Sequence, residues 1–262
     1  MQLPPAAMRR HYLFPLLLAL PLHAETLIRA CGGEGEWVPS SYYKRDGSRK
    51  TSDVAGYSPD VLKAALAGSG YRVAVSLLPW QRCQREVQDG SRYQLAMGVL
   101  YSAERARNYQ LSASYLHFQP GYYYRRDFFP GGLVIPSLAA LQRYRVCGLF
   151  GYSYAYTGLA TAQIDTGALD YPAVLGKLAL GRCDLLIESL EVMAGQRRLG
   201  RLPPDAGLLE GRPLPEAPPL VAHFAVSPHM RDGTTFLNTL NAGIARLQRD
   251  KQLSELLRRH TE

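Results

Sequence analysis

The 262-residue chain is poor in the residue patterns that build metal centres and redox sites. Its four cysteines form no CxxC pair, and its histidines are scattered without the spacing of metal ligands. The glycine-rich run Gly32–Gly35 lacks the spacing and context of a dinucleotide-binding loop. We therefore expect neither a metal nor a cofactor.

Long apolar runs are missing after the N-terminal segment, which argues against a membrane-spanning helix in the body of the chain. Lysine and arginine exceed aspartate and glutamate, 30 to 22, but the basic residues are dispersed. Nucleic-acid-binding domains concentrate their positive charge on one face or stripe. We therefore expect no nucleic-acid partner.

Residues 1–24 have the composition of a cleavable export signal. Arg9 and Arg10 supply a positive start, Tyr12–Leu22 an apolar core, and Leu22-His23-Ala24 a small-residue cleavage site. The apolar core is too short to span a membrane. Cleavage after Ala24 would leave 262 − 24 = 238 residues and, without the two arginines, lower the formal charge from +8 to +6. We therefore expect an exported, periplasmic protein.

The body of the chain alternates between strand and helix patterns. In the first half, apolar strand patterns are separated by helical ones, the first of which has Ser58 as its predicted N-cap. These strands are predicted at Thr26–Ala30, Tyr71–Leu78 and Tyr93–Leu100. A second alternation covers residues 137–199, including a helix predicted over Ser153–Gln163, and is followed by closing helices. Loops are predicted over Gly32–Ala55 and over the proline- and glycine-rich segment Leu202–Pro219. Such alternation predicts two α/β lobes, each a mostly parallel sheet flanked by helices.

Arg105 is the first candidate for ligand binding. It follows the apolar strand Tyr93–Leu100, and open α/β sheets bind ligands beyond the carboxyl ends of their strands. A planar guanidinium there can hold a carboxylate through two parallel hydrogen bonds. The alternative is that Arg105 pairs with Glu104 or covers the surface.

Several motifs, in this order and spacing, resemble the bacterial extracellular solute-binding proteins that serve polar amino-acid transporters. The first-half motifs are Gly56–Val61, Pro79-Trp80, Gly90, Ser102-Ala103-Glu104-Arg105 and Leu111–Tyr115. Those of the second half are Ser137–Leu141, Val146–Tyr154 and Gly181–Leu186, followed by the return segment Phe224–Ser227. Together they span nearly all of the mature chain.

The resemblance implies a two-lobed fold of the periplasmic-binding-protein type (type II). We expect lobe 1 to comprise residues 25–124 plus 222–262, and lobe 2 residues 125–221. A small molecule would bind between the lobes, and the closed form would be recognised by an ABC permease or a membrane sensor. We expect the protein to act as a monomer.

The resemblance also implies roles for individual residues. Arg105 would hold a ligand carboxylate, and Trp37 and Trp80, the two tryptophans of the chain, would be aromatic walls. The Gly151–Ser153 turn (Gly151, Tyr152, Ser153) would present backbone N–H groups at a helix start, where the helix dipole favours an anion. The alternatives are ordinary packing for the tryptophans and a plain N-cap for Ser153.

The chain departs from the family pattern in two places. The hydroxyl residues usually found upstream of the arginine fall on Gly98 and Leu100. The usual aspartate for the ligand's amino group falls on Ser189, with Glu188 one residue earlier. Because neighbouring strand residues face opposite ways, Glu188 replaces that aspartate only if the strand end twists or bulges. We therefore expect a small polar ligand that is amino-acid-like or a carboxylate.

The four cysteines allow three disulfide connectivities. Pairing Cys31 with Cys83 and Cys147 with Cys183 would join residues within one lobe, whereas either alternative would tie the lobes together and oppose closure. We expect the first connectivity, with unpaired buried cysteines as the alternative.

Two functions compete. The first is a binding protein that breaks no bond in its ligand. The second is a cleft enzyme like the dehydratases of cyclic acids that share this fold, with Glu188 as a general acid whose pKa the cleft raises. The sequence offers no nucleophile with a base, so we expect no catalytic residues.

Overall fold

The computed structural model describes residues 25–47 and 49–262, so the predicted export signal lies outside the described residues. The first part of the chain forms β1 Thr26–Gly33, β2 Tyr42–Asp46, β3 Arg49–Ala55, α1 Tyr57–Ala65, β4 Tyr71–Leu78, α2 Trp80–Gln88, β5 Leu95–Leu100, α3 Ala103–Asn108, β6 Gln110–Leu111 and β7 Leu116–Phe118. The middle part forms β8 Pro120–Arg125, β9 Val146–Leu149, β10 Ile164–Ala168, α4 Tyr171–Ala179, β11 Leu185–Ser189, α5 Leu190–Arg198 and β12 Leu209–Pro213. The last part returns with β13 Leu220–Val226 and closes with α6 Gly233–Arg249 and α7 Gln252–Thr261.

These strands build two larger sheets, one in each lobe. The first has the order β4-β1-β5-β13-β6, with β7 also paired to β13, and the second has the order β10-β9-β11-β8-β12. Strands that alternate with helices run parallel, namely β4, β1 and β5 in one sheet and β10, β9 and β11 in the other. The chain enters β8 and β13 after crossing between the sheets, and these two strands pair antiparallel with their neighbours, β12 included. One strand in each sheet, β13 in the first and β8 in the second, runs opposite to the others, so each sheet is mostly parallel, as predicted.

The boundary between the sheets differs from the predicted division at residues 124/125 and 221/222. Strand β8 pairs with β11 on one side and β12 on the other, so Tyr122, Tyr123 and Tyr124 lie inside the second sheet. All three tyrosines are buried, as expected for a central strand. When the chain crosses back, it joins the first sheet at Leu220, which pairs with Phe118, two residues before the predicted boundary.

Four local predictions are wrong. The predicted loop over Gly32–Ala55 contains the β2–β3 hairpin, and the predicted loop over Leu202–Pro219 contains β12. The segment predicted as a helix over Ser153–Gln163 forms only short 3-10 turns before β10. Helix α1 has Gly56, not Ser58, at its N-cap, with φ 130°, and a side chain there would collide with the Ser40 carbonyl.

Both disulfides join residues within one lobe, as predicted. Cys31 pairs with Cys83 at a Cα–Cα distance of 5.8 Å, and Cys147 with Cys183 at 5.9 Å. The first connects β1 to α2, and the second connects β9 to the start of β11, so neither ties the lobes together. Among the described residues, no helix combines the length and apolarity needed to cross a bilayer.

Candidate functional site

The carboxyl ends of β5 and β11, one in each lobe, flank the same crossover of the chain. Leu100 at the end of β5 pairs with Ala222, which in turn pairs with Leu116 at the start of β7. Four residues further along, Pro120 pairs with Ser189 at the end of β11. Four extended residues span at most about 14 Å. The strand ends at which open α/β sheets bind ligands therefore meet beside residues 116–120.

Arg105 lies on the first-lobe side of this crossover. Helix α3 begins after Ser102, whose side-chain oxygen accepts the backbone N–H of Arg105 at 3.1 Å. This N-cap fixes the helix start and brings the arginine back toward the strand end. Its guanidinium Nη1 donates to the Leu100 carbonyl at 2.8 Å. Among residues 25–47 and 49–262, Arg105 forms no ion pair. The alternative prediction, that it pairs with Glu104, is therefore wrong.

Trp37 packs against Gly98 at the same strand end. Gly98 has a φ of +68°, and a Cβ there would lie 3.2 Å from the indole of Trp37, so glycine is needed for both backbone and packing. The indole also meets Phe118 of the crossover edge-to-face, with ring centroids 5.2 Å apart. Reciprocal backbone hydrogen bonds of 2.9 Å between Trp37 and Ser41 hold the loop. The structure thus brings together Trp37, Gly98 and the crossover.

A buried hydroxyl network lies beneath Trp37, and sequence reasoning missed it. The Tyr115 hydroxyl accepts the N–H of Gly98 at 2.9 Å and lies 2.6 Å from the Ser58 hydroxyl, which lies 2.7 Å from that of Ser40. Burial raises the pKa of Tyr115, so this hydroxyl stays protonated and can donate onward to Ser58. The pairing of β5 with β13 is irregular beside Gly98. The network gives partners to polar groups that this irregularity would otherwise leave buried without them.

Trp80 has a different environment. It is the first residue of α2 and is half-buried against the apolar cluster that surrounds the Cys31–Cys83 disulfide. A Cβ built on Gly33 would lie 3.8 Å from the Cβ of Trp80, which places this tryptophan beside the end of β1. These contacts fit the packing alternative, and its role as an aromatic wall stays a prediction.

On the second-lobe side, Glu188 is a buried carboxylate. Its side chain accepts the Tyr171 hydroxyl at 2.7 Å and the N–H of Ser189 at 2.7 Å, and the residue is 5% exposed. Burial raises the pKa of Glu188 to about 7, although the Ser189 amide and the Tyr171 hydroxyl partly oppose this. Among the described residues it forms no ion pair. Ser189 is itself buried and precedes α5 without a side-chain cap bond.

Five tyrosines lie near Glu188, and we call them the tyrosine cluster: Tyr123 of β8, Tyr152, Tyr154, Tyr156 and Tyr171. In each, burial and then the nearby Glu188 carboxylate raise the pKa of the hydroxyl. Tyr152 is 38% exposed, whereas its hydroxyl lies near that of Tyr171. Tyr152 is therefore the member of the cluster that lies at the surface.

No α-helix begins at the Gly151–Ser153 turn, so the predicted helix-dipole contribution there is wrong. Gly151 is exposed with a φ of +78°, Ser153 is exposed, and the next helical turn is a three-residue 3-10 segment starting at Ala155. The loop instead delivers Tyr154, whose hydroxyl accepts the N–H of Leu149 at 2.6 Å. A role of this turn in ligand binding stays a prediction.

Two exposed aromatic side chains mark the strand ends and were not predicted as site residues. Tyr101 directly follows β5 and is 63% exposed, and Phe150 directly follows β9 and is 68% exposed. Large apolar side chains exposed at a strand end provide contact area for a ligand. For Tyr101, its position directly after the predicted strand Tyr93–Leu100 was the signal available in the sequence.

Solved structures with the same fold come from amino-acid-binding and sensory proteins. An ancestral cationic amino acid solute-binding protein, AncCDT-1, also described as a precursor of cyclohexadienyl dehydratase, has a TM-score of 0.69 and 17% identity, covering 90% of this chain and 96% of that chain. AbpA from Streptococcus pneumoniae, bound to L-arginine, has a TM-score of 0.68 and 18% identity, with 90% and 94% covered. A histidine kinase sensor domain also has a TM-score of 0.68 and 18% identity, with 90% and 96% covered. At these identities the likeness shows the fold.

Among curated proteins, no sequence matches this chain. A family model does match, over residues 30–262, and it describes the bacterial extracellular solute-binding proteins of family 3. The match covers both sheets and the closing helices. The chain therefore belongs to the bacterial extracellular solute-binding proteins, family 3.

Proposed function

We propose that this solute-binding protein captures a small zwitterionic solute, amino-acid-like in its charges, between its two lobes. One observation carries the proposal. Arg105 on the first lobe and Glu188 on the second are opposite charges, and neither forms an ion pair with the described residues. Both belong to strand ends that flank the crossover of residues 116–120. A ligand with a carboxylate and a cationic group complements that arrangement.

The two charges act differently on the ligand. The guanidinium of Arg105 can take a carboxylate through two parallel hydrogen bonds. A buried carboxylate without a cation is costly in free energy, so a positively charged ligand group near Glu188 removes part of that cost. The faces of the tyrosine cluster also attract a cation. Tyr152, the member of the cluster that lies at the surface, is the side chain that has to move for the ligand to reach Glu188.

Trp37 supplies the apolar wall in this proposal. Its indole lies over Gly98 and against Phe118, beside the strand end that carries Arg105. Gly151, Ser153 and Ser189 complete the second-lobe edge, and lobe closure would bring that edge onto the ligand. Trp80 contributes to the outer rim.

The receiving partner is a membrane transporter or a membrane sensor. Similarity to amino-acid-binding proteins of transporters supports the first, and similarity to a histidine kinase sensor domain supports the second. A cleavable export signal would place the protein in the periplasm, where either partner can reach it. The protein is proposed to work as a monomer.

A thermal-shift screen tests the ligand class. The compounds are amino acids, polyamines, opines and small carboxylates, and a ligand at a hundred times its Kd adds about 2.7 kcal/mol of stability. We expect hits that carry both a carboxylate and a cationic group. Hits confined to simple carboxylates, or to compounds without any charge, would contradict the zwitterion proposal.

The affinity for such a hit should rise with pH. Because the pKa of Glu188 is about 7, the carboxylate must lose its proton before it can pair with a cation. Linkage then predicts about ten-fold tighter binding at pH 8 than at pH 6, with proton release on binding. Calorimetry in two buffers of different ionisation enthalpy measures the affinity and the number of protons released on binding. Glu188→Gln should remove this pH dependence, and a variant that keeps it would exclude Glu188 as the titrating group.

Tryptophan fluorescence separates the two candidate walls. Binding of the same hit should change the intrinsic fluorescence in a saturable way, and the change should disappear in Trp37→Phe. Trp80→Phe should keep most of the change, because Trp80 packs on the disulfide cluster. Loss of the signal only in Trp80→Phe would reverse the assignment.

A cleft enzyme with Glu188 as general acid is the second candidate function. The observation that favours it is the pKa of about 7, which suits proton transfer near neutral pH. Incubation of candidate cyclic acids with the protein, followed by product analysis, distinguishes turnover from saturable binding. A Glu188-dependent product would establish the enzyme.

A further inference from the structure

The second lobe also contacts the first through helix α5, away from Glu188. At Gly195 the helix approaches so closely that a Cβ would lie 2.7 Å from Cγ1 of Val38 and 3.2 Å from Cβ of Pro39. It would also lie 3.3 Å from the carbonyl oxygen of His260 in α7. Val38 and Pro39 directly follow Trp37. A second-lobe helix therefore packs without spare room on the loop that carries the candidate aromatic wall.

An ion pair strengthens the same contact. Glu36, the residue before Trp37, is 8% exposed, and its Oε2 accepts Nη1 of Arg201 at 2.7 Å. Arg201 follows α5 and belongs to the second lobe. Its guanidinium also lies over the ring of Tyr42, 5.5 Å from the centroid. Within the first lobe, Arg45 donates to the same carboxylate at 3.1 Å.

The charges at Glu36 favour its ionised form. Burial alone would raise the pKa of Glu36, but Arg45, the amide of Tyr43 and Arg201 together outweigh it and lower the pKa. A buried charge that loses one of its partners costs free energy, since the remaining group stays desolvated. Arg201 is the partner of this carboxylate that comes from the other lobe.

We propose that Gly195 and Arg201 form a clasp that fixes the second lobe to the Glu36–Pro39 loop and thereby sets the position of Trp37. Arg201 is then a positioning residue, which acts on the site through Glu36 and the loop. The clasp itself does not depend on any ligand. Its effect on ligand affinity rests on the proposed function, because that effect requires Trp37 to contact the solute.

Small-angle X-ray scattering and hydrogen exchange of the ligand-free protein test the clasp. We expect Arg201→Gln to increase the radius of gyration, since the lobes separate. The amides of Trp37 and Ser41, which bond to each other's carbonyls at 2.9 Å, should exchange about ten-fold faster or more. Arg45→Gln is the matched control: it removes the same charge from the same carboxylate but within one lobe, so the radius of gyration should stay unchanged.

A second variant tests the packing part of the clasp without changing charge. Gly195→Ala inserts a methyl group where Val38 leaves no room, so it should also increase the radius of gyration. Gly176→Ala is its control, because no atom lies within 4 Å of a Cβ at that position in α4. Alanine at an open helical site is neutral or stabilising.

An unchanged radius of gyration in Arg201→Gln overturns the clasp, whatever the exchange rates are. If Gly195→Ala does not fold, Arg201→Gln still decides. A failed ligand screen would count against the proposed function alone, because both scattering and exchange are measured without a ligand. If the screen succeeds, Arg201→Gln should raise the Kd of the hit, whereas Arg45→Gln should leave it within about two-fold.

Discussion

Arg105→Ala is expected to weaken ligand binding by roughly 2–5 kcal/mol, the range for truncating one partner of a buried charge pair. The reason is that the ligand carboxylate would be left desolvated and unpaired at the end of β5. The loss to the ligand-free protein is smaller, since the half-buried guanidinium makes a single hydrogen bond there, to the Leu100 carbonyl. Isothermal titration calorimetry with a hit from the screen measures the affinity, and thermal unfolding without ligand measures stability.

Two further variants make this test specific. Arg105→Lys keeps the charge but loses the planar fork, so it should restore only part of the affinity. Arg107→Ala removes an exposed arginine from the same helix and should leave the affinity near that of the unmodified protein. Unmodified affinity in Arg105→Ala would exclude this residue as the carboxylate ligand.

Glu188→Gln should stabilise the ligand-free protein at pH 8. The carboxylate is buried with its pKa raised to about 7 from an ordinary value of 4.5, so ionisation opposes folding. The difference of about 2.5 pKa units corresponds to on the order of 3 kcal/mol at pH 8. Denaturant unfolding at a series of pH values measures the free energy of unfolding of the unmodified protein and of Glu188→Gln, and the expected effect is the difference between the two.

The sign of the pH dependence follows from the raised pKa. The folded protein holds the Glu188 proton more tightly than the unfolded chain does. The contribution of this group to stability is therefore fully present below pH 4.5, is lost as the pH rises toward 7, and stays constant above it. Glu188→Gln should match the unmodified protein at pH 4 and exceed it increasingly up to pH 7.

The exposed Glu104 provides the control for this experiment. Glu104→Gln should change the free energy of unfolding by less than about 0.5 kcal/mol, as surface substitutions usually do. If Glu188→Gln is less stable than the unmodified protein at every pH, the hydrogen bonds from Ser189 and Tyr171 outweigh the cost of burying the charge.

The regular elements of the fold were readable from local patterns. Strand β5 was predicted from a continuous apolar run, because a strand covered on both faces needs such a run, and β1 and β4 were predicted from apolar strand patterns interrupted by arginine. The motif Ser102–Arg105 also has a local cause, since the Ser102 side chain caps the helix that carries the arginine. The within-lobe disulfides followed from assigning each cysteine to a lobe.

Elements stabilised by distant partners were missed. The β2–β3 hairpin carries mostly charged and polar residues, so it has no apolar alternation to mark it. Strand β12 is held by pairing with β8, far away in sequence, and contains a proline and a glycine that indicate a loop. The tyrosine-rich segment after β9 was predicted as a helix. Its side chains pack toward Glu188 instead, and the backbone forms only short 3-10 turns.

The sequence by itself determined which residues carry charge and aromatic surface near each strand end, because strand, cap and helix signals are local. Only the tertiary structure decided what those residues face. Glu188 has tyrosines from three separate segments around it, and Glu36 meets Arg201 across 165 positions of the chain. Burial and partner charges arise from contacts between elements distant in sequence, and no periodicity encodes them. The pKa of Glu188 and the contact between the lobes therefore follow from packing.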